Sequence, residues 1–454
     1  MKKTISLFAL LSLVLNAYSQ SNPAIKSWIQ NTTGIVGRHY VKGNSTPITD
    51  AVAANVQSVK YSATSVYIAT NGIPAYVTGP FLDGNPNLAG SQNAIFKMPL
   101  NPVKNTGAPT ATTGGNIGLF VNGVALFDYR DGVSWSNASQ TVGGGPIMGV
   151  KGDGVWNRDA VVGERLGFDC SKGHPAGTNY HHHQNPSAFK LDLNVISTIC
   201  NLYDADGLYT IDSTKHSPLI GFAYDGFPIY GAYAYKNVDG TGGIVRMKSS
   251  YNLRNITTRN KYADGSTVTA GPDVNTTYPL GYFREDYEYI ATTAGTPDYL
   301  DEHNGRFCVT PEYPDGIYCY FATVDKNWNS AYPYAVGPTF YGVKSAAKVT
   351  SISETVTTYT PSSTGIFNTP SSEINISVYP NPSSEIIAVQ LNDIARESME
   401  VSLIDISGKL VQKATLYQGS TIVYFSTQTI YPGTYFVRVN SPSGTVVKKV
   451  EIQK

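Results

Sequence analysis

A chain of 454 residues is long enough for two or more domains. Its formal net charge is zero and only 15% of its residues are charged, so neither nucleic acid nor an anionic membrane is favoured as a partner. Abundant Tyr (32) and Gly (43) suit an exported β-rich protein with many turns.

At the N-terminus, Met1-Lys2-Lys3 precedes an apolar run from Ile5 to Leu15. Ala17-Tyr18-Ser19 then offers small residues at the two positions that a signal peptidase reads. This predicts a secretory signal peptide over residues 1–19, leaving Gln20 as the first mature residue. The apolar run is shorter than the about 20 residues a bilayer requires, and no other stretch qualifies, so no transmembrane segment is expected.

Residues 20–345 contain no amphipathic helical pattern. Val66-Tyr67-Ile68-Ala69, Gly118-Leu119-Phe120-Val121 and Ala125-Leu126-Phe127 read as strands. Asn71-Gly72, Asn122-Gly123, Asp131-Gly132 and Asp225-Gly226 read as turns. The predicted class is all-β, with one large β-rich domain over 20–345, of one sheet or two packed sheets. An even set of cysteines (Cys170, Cys200, Cys308, Cys319) in an exported chain points to disulfides. Three pairings are open; Cys170–Cys200 with Cys308–Cys319 closes the shortest loops and is favoured.

Seven histidines occur in the chain, and four of them (His174, His181, His182, His183) fall within ten positions. Imidazole is the commonest side-chain metal ligand and also serves as acid or base near neutral pH. On a strand, residues i and i+2 share a face, so His181 and His183 project together, while His182 projects to solvent or packs on the opposite side. Gly173-His174-Pro175-Ala176-Gly177 reads as a loop that folds His174 back toward the pair. The competing reading is a set of structural histidines filling hydrogen bonds.

Further on, Asp225 is a charge among aromatics in Phe222-Ala223-Tyr224-Asp225-Gly226-Phe227-Pro228-Ile229-Tyr230. Burial obliges it to meet a metal, a cation or backbone donors. Asp204-Ala205-Asp206-Gly207 lacks the later ligands of an EF-hand and reads as a β-turn. Asp301-Glu302-His303-Asn304-Gly305-Arg306 reads as a loop tip with an Asp301–Arg306 ion pair, with His303 or Glu302 as alternative metal ligands.

These segments resemble the YHYH protein family over about residues 145–342. The resemblance rests on Gly173-His174-Pro175, Gly177-Thr178-Asn179-Tyr180-His181-His182-His183, Ser217-Pro218-Leu219-Ile220-Gly221 and Asp225 to Gly231. Asp301 to Arg306, Tyr332-Pro333-Tyr334 and Gly337-Pro338 extend it. The third residue of the family's Tyr-His-Tyr-His signature is His182 here, while His181 and His183 keep their alternate positions. The resemblance implies a bounded site and no particular reaction.

Residues 346–373 are Ser/Thr-rich and read as a linker. Beyond it, Val401 to Ile406 and Thr434 to Val439 alternate in polarity, and residues 374–454 accommodate roughly seven short strands of a small antiparallel β-sandwich. Val378-Tyr379-Pro380-Asn381-Pro382, Asp405-Ile406-Ser407-Gly408-Lys409 and Pro432-Gly433-Thr434-Tyr435-Phe436-Val437 make this unit similar to the C-terminal sorting domain of the type IX secretion system. That resemblance implies passage through the periplasm and engagement of the type IX machinery. It also implies removal of the domain by a surface peptidase, with release or attachment to surface lipopolysaccharide.

The leading functional expectation is a secreted or cell-surface metalloprotein in which His174, His181 and His183 bind Zn or Cu, with Asp225 as fourth ligand or as an orienting residue. An open position permits catalysis, and a closed shell makes the site structural. A non-enzymatic glycan- or matrix-binding module, using Tyr and Trp for stacking, is the alternative. A metal-free His–Asp hydrolase ranks last, because no G-x-S-x-G elbow occurs.

Overall fold

The structure is a computed structural model describing residues 22–361 and 376–454, apart from 85–86, 146, 148, 189–197, 204–206, 392–394, 396–397, 407 and 442–443. The expected signal peptide, the Asp204–Asp206 turn and residues 362–373 of the linker lie outside the described residues. The chain divides into two compact units between residues 362 and 363. Both are built of short strands, and no helix among the described residues is long and apolar enough to cross a membrane.

The first unit is organised by an eight-stranded mixed sheet. Its strands are Asn116–Phe120 (β1), Ala125–Phe127 (β2), His174–Ala176 (β3), Asn179–His182 (β4), Leu219–Ala223 (β5), Pro228–Tyr230 (β6), Gly305–Cys308 (β7) and Ile317–Phe321 (β8). Their spatial order is β3-β4-β2-β1-β5-β6-β8-β7, with β4·β2 and β6·β8 parallel. A five-stranded antiparallel sheet is centred on Val56–Tyr61, Ser65–Thr70 and Ala94–Pro99.

Both sheets contribute to one core, which holds Val59, Val66, Ile68, Phe96 and Met98 together with Leu119, Phe120, Leu126, Ile220 and Phe222. Along Ala94–Pro99 burial alternates, with Ala94, Phe96 and Met98 inward, as a strand with one covered face requires. All five positions of β5 are buried, and Tyr180, His181 and His182 of β4 are buried in succession. Such strands are covered on both faces and have no solvent side.

Two sequence expectations are revised. Within the stretch read as linker, Ala347–Val349 and Thr357–Tyr359 pair with Ala94–Pro99 and Val56–Tyr61 and form the two edges of the five-stranded sheet. Edge strands need few apolar residues, so a Ser/Thr-rich composition is compatible with them. Among the cysteines, Cys170–Cys200 is a disulfide, whereas Cys308 and Cys319 are buried thiols. In the β7–β8 ladder Cys308 opposes Ile317 and Cys319 opposes Arg306, so the two cysteines share a face on a diagonal rather than facing directly.

In the second unit, Ile376–Tyr379, Ile386–Leu391 and Ile422–Ser426 form a three-stranded sheet. Met399–Asp405, Leu410–Leu416, Gly433–Ser441 and Gly444–Ile452 form a four-stranded one. Every strand pairing within these two sheets is antiparallel, an isolated parallel bridge joins Ser383 to Ile452, and the unit has its own core, including Ile387, Val389, Val401, Leu403, Phe425, Val437 and Val450.

Candidate metal centre

The stretch expected as a loop before Tyr180 is one arm of a hairpin. β3 and β4 pair so that His174 lies directly opposite His181, and Gly177, with φ of +59°, makes the turn. Asp169 holds the approach to β3. Its carboxylate accepts from the Ser171 and Gly173 amides on one oxygen, and from the Gly79 amide and the Tyr180 hydroxyl on the other. A Cβ at Gly173 would lie 2.4 Å from the Tyr180 hydroxyl, so only glycine lets this turn close.

Alternation sets the two faces of β4 as expected. His181 and His183 project together toward His174, with 3.1 Å between the Nε2 atoms of His181 and His183 and 3.3 Å between those of His174 and His183. His182 points the opposite way and is fully buried. Its Nε2 lies 2.6 Å from the Tyr76 hydroxyl, and its ring meets Phe120 and Tyr180 edge-on. Of the two alternatives for His182 the packed one holds, because β4 has no solvent face.

A fourth group joins from a segment the histidine pattern does not touch. Glu164 follows the single helical turn Ala160–Gly163, which Asp159 caps through the Val161 amide. Its Oε2 lies 3.2 Å from Nε2 of both His174 and His183. This oxygen is buried and, apart from those two ring nitrogens, has no hydrogen-bond donor among the described residues. The sequence offered only a carboxylate ten residues before His174, with no spacing rule to connect the two.

The remaining ring nitrogens define what the four atoms can do. His181 donates Nδ1–H to the Asn179 carbonyl at 2.9 Å, and His183 donates Nδ1–H to the Asp128 carbonyl at 2.6 Å. A carbonyl only accepts, so each of these imidazoles carries a hydrogen on Nδ1, and in its neutral form turns an Nε2 lone pair toward the centre. Lone pairs 3.1 Å apart, beside an orphaned carboxylate oxygen, suit a shared cation. A tetrahedral shell with metal–ligand bonds of about 2.0–2.1 Å has six ligand separations of about 3.3 Å, and four of those among the three imidazoles and Glu164 lie close to that value here. Among the described residues, His174, His181 and His183 form the only group of three or more His, Cys, Asp or Glu side chains with converging ligand atoms.

Aromatic rings wall the centre: Phe127 stacks on His181 at 3.8 Å, and Phe168 meets His174 edge-on at 5.0 Å. Burial, reinforced by the neighbouring His183 and His174, holds His181 well below the ordinary imidazole range. Burial also opposes protonation of His183, but the Glu164 carboxylate, the Asp128 carbonyl and the Asp131 carboxylate together outweigh it and the net shift is upward. Glu164 shows the reciprocal balance: desolvation raises it, and the two histidines together lower it further, to a net depression.

Asp225 is not brought to this cluster by any contact. Its carboxylate accepts from the Tyr320 hydroxyl at 2.5 Å, the Gly342 amide at 2.8 Å and the Phe227 amide at 3.2 Å, and burial pushes its pKa up to about 6. These are the donors that a buried carboxylate needs, and they make it part of the core. His303 is engaged with Thr339, and the Asp301 carboxylate takes the Tyr318 hydroxyl. The Asp301–Arg306 pair does not form, because Arg306 donates to the carbonyls of Lys236, Pro297 and Tyr235.

Residues 95–333 match the family described as YHYH protein, which is more than half of the chain. The chain belongs to the YHYH protein family. The matched segment starts earlier than the signature motifs suggest, and so takes in β1 and β2 with Phe127 and Asp128. Residues 377–453 match the secretion system C-terminal sorting domain, which marks the YHYH protein for type IX export to the surface or the medium. No curated protein matches the chain in sequence. Among solved structures, Parabacteroides merdae β-glucuronidase with glycerol in its active site is similar at 16% identity with a TM-score of 0.13. That likeness covers 18% of this chain and only 13% of the other, and it carries no argument.

Proposed function

We propose that this YHYH protein acts outside the cell as a metalloprotein whose His174, His181 and His183, joined by Glu164, bind one divalent ion. The observation that carries the reading is the convergence of three imidazole nitrogens and an unpartnered carboxylate oxygen, with four separations of 3.1–3.3 Å. Imidazole nitrogens and a carboxylate oxygen suit Zn(II) and Cu(II) alike. When bound, the ion supplies Lewis acidity if a position is free, and cross-links β3, β4 and the 160–168 segment in either case.

Elemental analysis of untagged protein tests the proposal. One equivalent of Zn or Cu per chain is expected, lost in His181→Ala/His183→Ala. Folded wild-type protein that contains no metal, and gains no stability from added Zn(II) or Cu(II), would overturn it.

A further inference from the structure

We propose that Glu164 is a displaceable ligand, and that the position it holds takes a small anionic donor such as a carboxylate from solvent. The inference rests on the metal-centre reading above and adds to it which ligand leaves and what replaces it.

The four groups are held unequally. His174 and His181 stand on paired strands, His183 follows β4 directly, and Nδ1 of both His181 and His183 is fixed by a backbone carbonyl. Moving any of these imidazoles means disturbing the hairpin or the packing of Phe127 and Phe168 on it. Glu164 sits on an arch instead. Before it, the Ala160 amide is anchored to the Tyr129 carbonyl and Asp159 is fully buried; after it, Gly167 and Phe168 return to the interior. Between these anchors Val162, Arg165 and Leu166 are exposed. The Glu164 side chain is 16% exposed, against 8% for His174 and 3% for His183, so it is the ligand nearest solvent. Apart from the Nε2 atoms of His174 and His183 at 3.2 Å, no protein group holds its Oε2, so rotation of the side chain into water gives up only those two approaches at that oxygen.

Charge selects the replacement. Three neutral imidazoles leave a divalent ion with its full charge, and Glu164 lowers that by one. When Glu164 swings out, an anionic oxygen or nitrogen donor restores the balance.

Cobalt(II) provides the test, because its visible spectrum reports coordination. Full-length protein, Glu164→Ala and Glu164→Gln are loaded with Co(II) and titrated with acetate and azide. Both variants are expected to keep one Co(II), bound about tenfold more weakly, to show an altered spectrum, and to take up the anions at least about tenfold more tightly than wild type. Unchanged spectra and anion affinity would show that Glu164 is no ligand. Folded variants that bind no Co(II) would show that it cannot be displaced. Wild-type protein that takes up no Co(II), Zn(II) or Cu(II) would fail at the earlier reading of the centre, a result distinct from both.

Discussion

His183 donates its Nδ1–H to the backbone carbonyl of Asp128 at 2.6 Å, while the carboxylate of the same Asp128 is clamped by Arg130 at 2.5 and 3.0 Å. Arg130 thereby orients an imidazole it does not touch. Arg130→Met is expected to weaken metal binding about tenfold without changing its stoichiometry. It should also lower the thermal midpoint, because Asp128 is fully buried and would lose its partner. Competition with a chromophoric chelator measures the affinity; a wild-type value would show that Asp128 keeps its carbonyl in place unaided.

The two faces of β4 predict opposite phenotypes for adjacent residues. His181→Ala should lose metal by at least about a hundredfold in affinity while the fold is retained. His182→Ala should retain one equivalent yet lose about 2–4 kcal/mol of stability, since it empties a buried site and strands the Tyr76 hydroxyl. Elemental analysis paired with urea denaturation separates them, and equal metal loss in both would refute the assignment of faces.

The disulfide between Cys170 and Cys200 closes a loop with a sequence separation of 30 and adjoins the Asp169 turn that leads to His174. Cys200→Ser should cost about 2–4 kcal/mol. Thiol titration of the unreduced wild-type protein in guanidinium should count two groups, Cys308 and Cys319. A count of zero would mean that these two are also bridged, and a count of four that neither pair is.

Asp225 predicts a pH effect. Burial lifts its folded pKa to about 6, against about 3.9 for an unfolded chain, so the fold holds the proton more tightly. The stability this contributes is fully present below about pH 4 and is lost as pH rises through about 6. Asp225→Asn removes that dependence, so between pH 4.5 and 7.5 wild type should lose stability relative to the variant. All four tryptophans (Trp28, Trp135, Trp156, Trp328) lie in the first unit, so their fluorescence follows its unfolding alone. Parallel stability curves for the two proteins would contradict the assignment.

What was legible in the sequence follows the range of the forces involved. The pairing of His181 with His183 is a consequence of strand geometry two residues long, and Gly177 marks the turn that returns His174 to them. Glu164 was invisible because its meeting with His174 and His183 depends on how a four-residue helical turn lands beside a hairpin. Asp225 announced that it needed partners, but Tyr320 and Gly342 are 95 and 117 residues away, and no local pattern names them. The alternating runs of the C-terminal unit, by contrast, specify neighbouring antiparallel strands directly, and its sheets were correspondingly easy to anticipate.

The strands Ala347–Val349 and Thr357–Tyr359 bear on processing. They cover the open hydrogen-bonding rims of Ala94–Pro99 and Val56–Tyr61. A protease trimming the protein back to residue 345 would leave both rims bare, and bare rims recruit strands from other molecules. Any cut that keeps both rims covered falls after Tyr359, so the end of this Ser/Thr-rich stretch, rather than its beginning, bounds the five-stranded sheet.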